Sequence, residues 1–151
     1  EPNVRICQAT QCYRKVWQHR LPNPIDGKWD TVVACEIIEH LSEQDARRAV
    51  EMLEKVAARR IIFTTPNFVY LRGGRETADG FNPDEAHLSH IPRSWFKNRG
   101  YKISGAGWGN PESSLVRLLG GLRVRGVRAL SGFPQIFPSL GYVYVAHKDF
   151  G

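Results

Sequence analysis

The stretch WDTVVACEIIEHL, residues 29–41, decides how the rest of the chain is read. Thr31 to Cys35 is an unbroken, β-branched-rich run, expected as a strand buried on both faces. Glu36, Glu39 and His40 follow at once, three ionisable groups within five positions. A continued strand would send Glu36 and Glu39 to opposite faces, whereas a strand that stops and turns aims residues 36, 39 and 40 to one side.

Working outward, Ser42 heads SEQD, a near-match to a capping box in which the hydroxyl takes a free backbone N–H. Ala46, Ala49, Val50, Leu53 and Val56 then recur at helical spacing, with Glu51 and Lys55 as an i,i+4 pair. Arg60 to Thr65 (RIIFTT) is a second buried strand, stopped by Pro66. Strand, helix and strand, both strands apolar on both faces, predict a parallel pair with a right-handed crossover, and hence an α/β protein. Upstream, residues 4–12 fit either a helix or a strand. Arg14 to His19 is expected as a short strand, and LPNPIDGK (21–28) as loop. Downstream, 67–91 is polar and Gly-rich, a functional loop or lid. Pro92 opens a short helix, RSWFKNR, closed by Gly100. Lys102 to Gly105 and Tyr142 to His147 are the last two strands. A helix is expected at Leu115 to Leu119, and 120–138 gives no clear pattern.

A chain of 151 residues, 42% apolar and 24% charged, is expected to form one globular domain, 1–151, with a core of its own. No apolar run approaches a membrane span of about 20 residues and no secretory signal is seen, so no membrane partner and a cytoplasmic setting are expected. Cys7, Cys12 and Cys35 show no paired spacing, against a zinc knuckle or a disulfide framework. The net charge of +6 is uneven: Arg93 to Arg128 holds eight Lys or Arg against one acid, Glu112. That is either a solvated basic surface or a face for a polyanion, and composition leaves both open.

With these pieces in order, the chain resembles the class I S-adenosylmethionine-dependent methyltransferases. The resemblance rests on DTVVACEIIEHL (30–41), IIFTTPN (61–67), HLSHIPRSWFKNRGYKISG (87–105) and YVYVAHK (142–148), and spans roughly residues 14–148. It implies a Rossmann-like, mostly parallel sheet with an antiparallel last strand. It also implies a substrate-side insertion at 107–138 and S-adenosylmethionine as cofactor. Strands 30–35, 61–65, 102–106 and 142–147 should then share one sheet. Ligands of open parallel sheets sit outside the strands' carboxyl ends, where Cys35–His40 and Thr65–Asn67 would lie. The glycine loop and first strand of that family have no counterpart before residue 30, so the domain is expected to be N-terminally incomplete. Weak binding of S-adenosylmethionine by this chain is expected in consequence. Glu1 is the candidate ribose acid, and Cys35 and Glu36 are the other cofactor-binding candidates. Gly105-x-Gly107-x-Gly109 mimics a nucleotide loop but has no acid about 20 residues downstream, which favours a flexible turn near the substrate mouth.

For Glu36, Glu39 and His40 three readings stay open. The carboxylates orient the cofactor while His40 serves as base. Alternatively all three, with His87, ligate Mg or Mn, because the E-x-x-E-H spacing with a later His resembles small-RNA 3′-terminal 2′-O-methyltransferases and ubiquinone-pathway O-methyltransferases. Otherwise His40 is hydrogen-bonded scaffold. His87 is the second catalytic candidate and His90 its neighbour in EAHLSH, with Asn67 expected across the cleft. The expected function is methyl transfer to an acceptor, a small molecule more readily than RNA. A non-catalytic remnant, acting as a binding module or partner subunit, is the rival.

Overall fold

The computed structural model describes residues 2–77, 80–108 and 133–151. In chain order the elements are α1 (Pro2–Ala9), β1 (Trp29–Cys35), α2 (Glu43–Val56), β2 (Ala57–Pro66), β3 (Arg75–Thr77), β4 (Gly80–Asn82), α3 (Arg93–Asn98), β5 (Lys102–Trp108), α4 (Phe133–Ile136) and β6 (Gly141–Asp149). Short 3-10 turns stand at Ile38–His40, Pro83–Glu85 and Pro138–Leu140.

One four-stranded sheet runs in the order β1-β2-β6-β5. β1 and β2 are parallel, with Val33 opposite Ile62 and Cys35 opposite Thr64. β6 lies antiparallel to both β2 and β5. Three strands therefore run one way and the last in sequence runs against them, as expected of the α/β sheet. β3 and β4 make a separate hairpin.

The crossover helix begins where the cap signal placed it: the Asp45 amide donates to Ser42 Oγ at 3.2 Å. Ser42→Ala should cost about 1 kcal/mol, read as a lower denaturation midpoint at unchanged slope. Helix α2 runs straight into β2 without a loop. Ala46, Val50 and Leu53 of α2, and Phe96 of α3, bury against Ile61, Phe63, Tyr144 and Ala146. The rings of Phe63 and Phe96 lie 5.5 Å apart, and those of Phe96 and Tyr101 5.0 Å. The Tyr144 hydroxyl, buried in this layer, donates to the Ile91 carbonyl at 2.7 Å.

Several expectations are corrected. β1 is not buried on both faces: Ala34 is buried, but Val33 on the opposite face is 55% exposed, because that face looks into an open cleft. Arg14–His19 forms no strand; it finds no ladder partner, and Trp17 stacks on Trp29 at 6.4 Å instead. Residues 67–91 are not plain loop, since β3 and β4 fall inside them. Glu51 turns to Arg99 at 3.6 Å, and the i,i+4 pair on α2 is Glu43 with Arg47 at 2.6 Å. The helix expected at Leu115 to Leu119 lies outside the described residues, as does most of the 107–138 insertion. Gly105 and Gly107 sit within β5 rather than in a turn at its end. A Cβ at Gly105 would stand 2.5 Å from the Pro134 carbonyl oxygen, so the missing side chain lets two backbones touch. Gly109 lies outside the described residues. All three cysteines are free.

Candidate active site

β1 stops at Cys35 because Glu36 takes a left-handed backbone, φ 49°, while its amide still donates to the Thr64 carbonyl of β2 at 3.0 Å. The chain then coils into the 3-10 turn of residues 38–40, and this reversal separates the three ionisable groups by depth. Glu36 is exposed, Glu39 is 3% exposed, and His40 is half-buried. Glu36 and His40 line an open cleft of about 1230 Å³, together with Ile37, Leu41, Trp17 and Trp29. Glu39 lies beneath them.

A strap from residues 86–89 closes the lower side. The amides of Leu88 and Ser89 donate to the Glu39 carbonyl at 2.8 and 3.2 Å. Arg72 and His87 hold one another through both backbone hydrogen bonds of an antiparallel bridge. These contacts bring His87 against His40, ring centroids 4.8 Å apart and edge-on. One ligand atom each from Glu39, His40 and His87 then lie within 4.8 Å of one another.

The protonation of this trio follows from its partners. His40 Nδ1 is 3.0 Å from the Ala86 carbonyl oxygen, which can only accept, so Nδ1 carries the proton and Nε2 the lone pair. His87 Nε2 is 3.3 Å from an Arg72 guanidinium nitrogen, which can only donate, so there the lone pair is already engaged. Burial, then the charges of Arg72 and His40, hold the His87 imidazole below its ordinary pKa. Glu39 accepts from the Thr65 hydroxyl at 3.1 Å through Oε2, whereas Oε1 is buried with no hydrogen-bond partner. Burial first, and the neighbouring Glu36 carboxylate after it, push Glu39 up to about 7. Burial and like charge make this carboxyl hold its proton, a nearby positive charge would favour the ionised form, and an unsatisfied buried oxygen is otherwise costly.

Of the candidate residues, Glu39, His40 and His87 come together, with Glu36 beside Glu39 at the cleft. Cys35 is exposed at the end of β1, and Glu1 lies outside the described residues. Asn67 does not face the trio with its amide: Nδ2 donates to the Pro138 and Gly141 carbonyls at 2.6 and 2.8 Å and ties β2 to the start of β6. His90 lines a different cleft, together with Asn67. Thr65 was expected at the rim, though not as a partner of Glu39, and its signal was a hydroxyl at the C-terminal end of a buried strand. Arg72, in a loop, was not foreseen and had no signal.

No family model matches the sequence, and no curated protein does. Among solved structures the chain is similar to magnesium protoporphyrin IX methyltransferase from Synechocystis PCC 6803, solved with bound S-adenosylhomocysteine. Identity there is 14%, TM-score 0.47, over 97% of this chain and 57% of that one. It is also similar to a SAM-dependent methyltransferase from Archaeoglobus fulgidus, at 15% identity and TM-score 0.44, over 86% of this chain and 62% of that one. The chain thus spans about three-fifths of the length of these two proteins.

Proposed function

We propose that this chain carries the acceptor side of an S-adenosylmethionine-dependent methyltransferase site, with His40 as the base. The observation that supports this reading is the fixed tautomer of His40. Its Nδ1–H is held by the Ala86 carbonyl, and its Nε2 lone pair belongs to a ring that lines the cleft at the carboxyl end of β1. S-adenosylmethionine, when bound, supplies an electrophilic methyl group on a sulfonium. His40 Nε2 takes the acceptor's proton as the acceptor atom gains the methyl. Glu39, neutral below about pH 7, sits beside the imidazole without fixing its charge in advance. Cys35 and Glu36, at the turn after β1, are the residues of this chain placed at the rim for the cofactor. The acceptor is a small molecule or RNA.

A Mg or Mn ion fits the same trio by its donors: an unpartnered buried carboxylate oxygen, one free imidazole lone pair, and a second imidazole whose lone pair Arg72 now occupies. Glu39, His40 and His87 would hold it, with Arg72 displaced from His87. Such an ion would supply positive charge to acidify a bound hydroxyl. Manganese should then raise the denaturation midpoint of this chain, and Glu39→Gln should remove the effect. Indifference of both proteins to manganese leaves His40 as a metal-free base.

The test of methyl transfer is calorimetric titration with S-adenosylhomocysteine, on this chain and on the intact natural protein. Binding by the intact protein, with weaker binding by this chain, is the expected result. Binding by neither assigns the fold to a non-catalytic binding module.

A further inference from the structure

A second cleft, of about 560 Å³, shares no lining residue with the first and is lined by His90, Arg93, Ser94 and Lys97 against Phe137 and Ser139, with Asn67 among them. None of its lining residues is an Asp or Glu. Its cations are not neutralised by neighbouring acids, unlike Arg72, paired with Glu85, or Arg99, paired with Glu54. Among the described residues Arg93 and Lys97 enter no ion pair, and they stand one helical turn apart on α3, lining the same cleft.

We propose that this cleft is the acceptor's anion subsite and takes a phosphate group, rather than the cofactor, which carries none. An Arg fork and a Lys point charge beside a serine hydroxyl supply more donors than a carboxylate can use, and suit the terminal oxygens of a phosphate. The apolar wall, with Phe137 at 53% exposure, lowers the local dielectric and offers a flat surface for a ring attached to that phosphate.

The inference rests on the methyl-transfer reading and places the substrate within it. Asn67 borders the cleft two residues beyond Thr65, whose hydroxyl bonds Glu39. His90 lies three residues beyond His87, just past the strap. Phosphate held here therefore anchors an acceptor on the rim that carries His40. The acceptor is thereby narrowed to a phosphorylated compound, either a nucleotide unit or a phosphorylated small molecule.

The experiment titrates the 151-residue chain with inorganic phosphate at constant ionic strength and follows amide resonances. Saturable shifts at Arg93, Ser94 and Lys97 are expected, and Arg93→Gln with Lys97→Gln should weaken binding by about tenfold or more. Both side chains are partly or fully solvent-facing, so the double variant should unfold at the wild-type midpoint; Lys97→Gln alone, on the exposed position, repeats the test if it does not. Adenosine 5′-monophosphate and ribose 5-phosphate then distinguish the sources. Tighter binding of the nucleotide supports an RNA-like acceptor stacked on Phe137, and equal binding supports a phosphorylated small molecule. No saturation, or equal binding by wild type and both variants, overturns the subsite. Failure here with retained S-adenosylhomocysteine binding by the intact protein removes only the subsite. Phosphate binding without S-adenosylhomocysteine binding keeps the subsite and removes methyl transfer.

Discussion

His40→Ala in the intact natural protein is expected to lower kcat by about 10²–10⁴-fold, with KM for the cofactor little changed. The expectation follows from what the ring does structurally. Its one hydrogen bond to the rest of the fold is a donation to the Ala86 carbonyl on a half-buried strap, so its loss should cost only about 1 kcal/mol of stability. Its other nitrogen is left for chemistry. His40→Asn, which keeps a donor toward Ala86 but offers no base, should restore the stability and leave the rate low. Wild-type turnover in His40→Ala would make the residue scaffold.

Glu39→Gln should stabilise the chain by about 3 kcal/mol at pH 8 and by almost nothing near pH 4. In the unfolded chain this carboxyl loses its proton near the ordinary 4.5; in the folded chain it keeps it to about 7. Below the lower value both states are protonated and the folded state has its full stability. As pH rises between the two, the unfolded state ionises first, so stability falls; the loss is complete above about 7. Glutamine cannot ionise and still accepts from the Thr65 hydroxyl. Carboxylates away from the site titrate alike in both proteins, so the difference between their urea midpoints, taken from pH 4 to 8, reports Glu39 together with its neighbour Glu36. A difference that does not change with pH would mean that Glu39 ionises alike in the folded and unfolded chains, so that its burial does not hold the proton. If manganese binds the trio it should reverse the sign, since the carboxylate is a much stronger ligand than the amide.

Locally encoded features were readable from residue order. The Ser42 cap needs only Asp45, and the helical stripe of Ala46, Val50 and Leu53 needs only its own period. The parallel pairing of β1 and β2 followed from two apolar runs flanking that helix. The position of β6 came from the resemblance, not from pattern. What stayed hidden depends on distant partners. The β3–β4 hairpin has three-residue strands, too short to show alternation. In EAHLSH the resemblance favoured His87 over His90, but residue order alone does not show what brings it to His40, which is the bridge between Arg72 and His87. The burial of Glu39 was illegible for a similar reason. An acid after a strand is ordinarily solvated, and only the left-handed step at Glu36, with the strap laid across it, rolls this one under.

β6 follows every other described strand in sequence yet sits between β2 and β5, with Arg60 registered against Asp149. During biosynthesis, then, β2 leaves the ribosome long before the strand that completes its ladder, and β5 emerges with no neighbour of its own in the sheet. The Phe63 and Phe96 rings can meet early, but Tyr144 and Ala146 seal the layer only at the end. Contacts so far apart in sequence close slowly, and the open edge of β2 is an invitation to foreign strands meanwhile. The interval between the synthesis of Pro66 and that of Gly141 is thus the period in which this nascent chain most depends on chaperones.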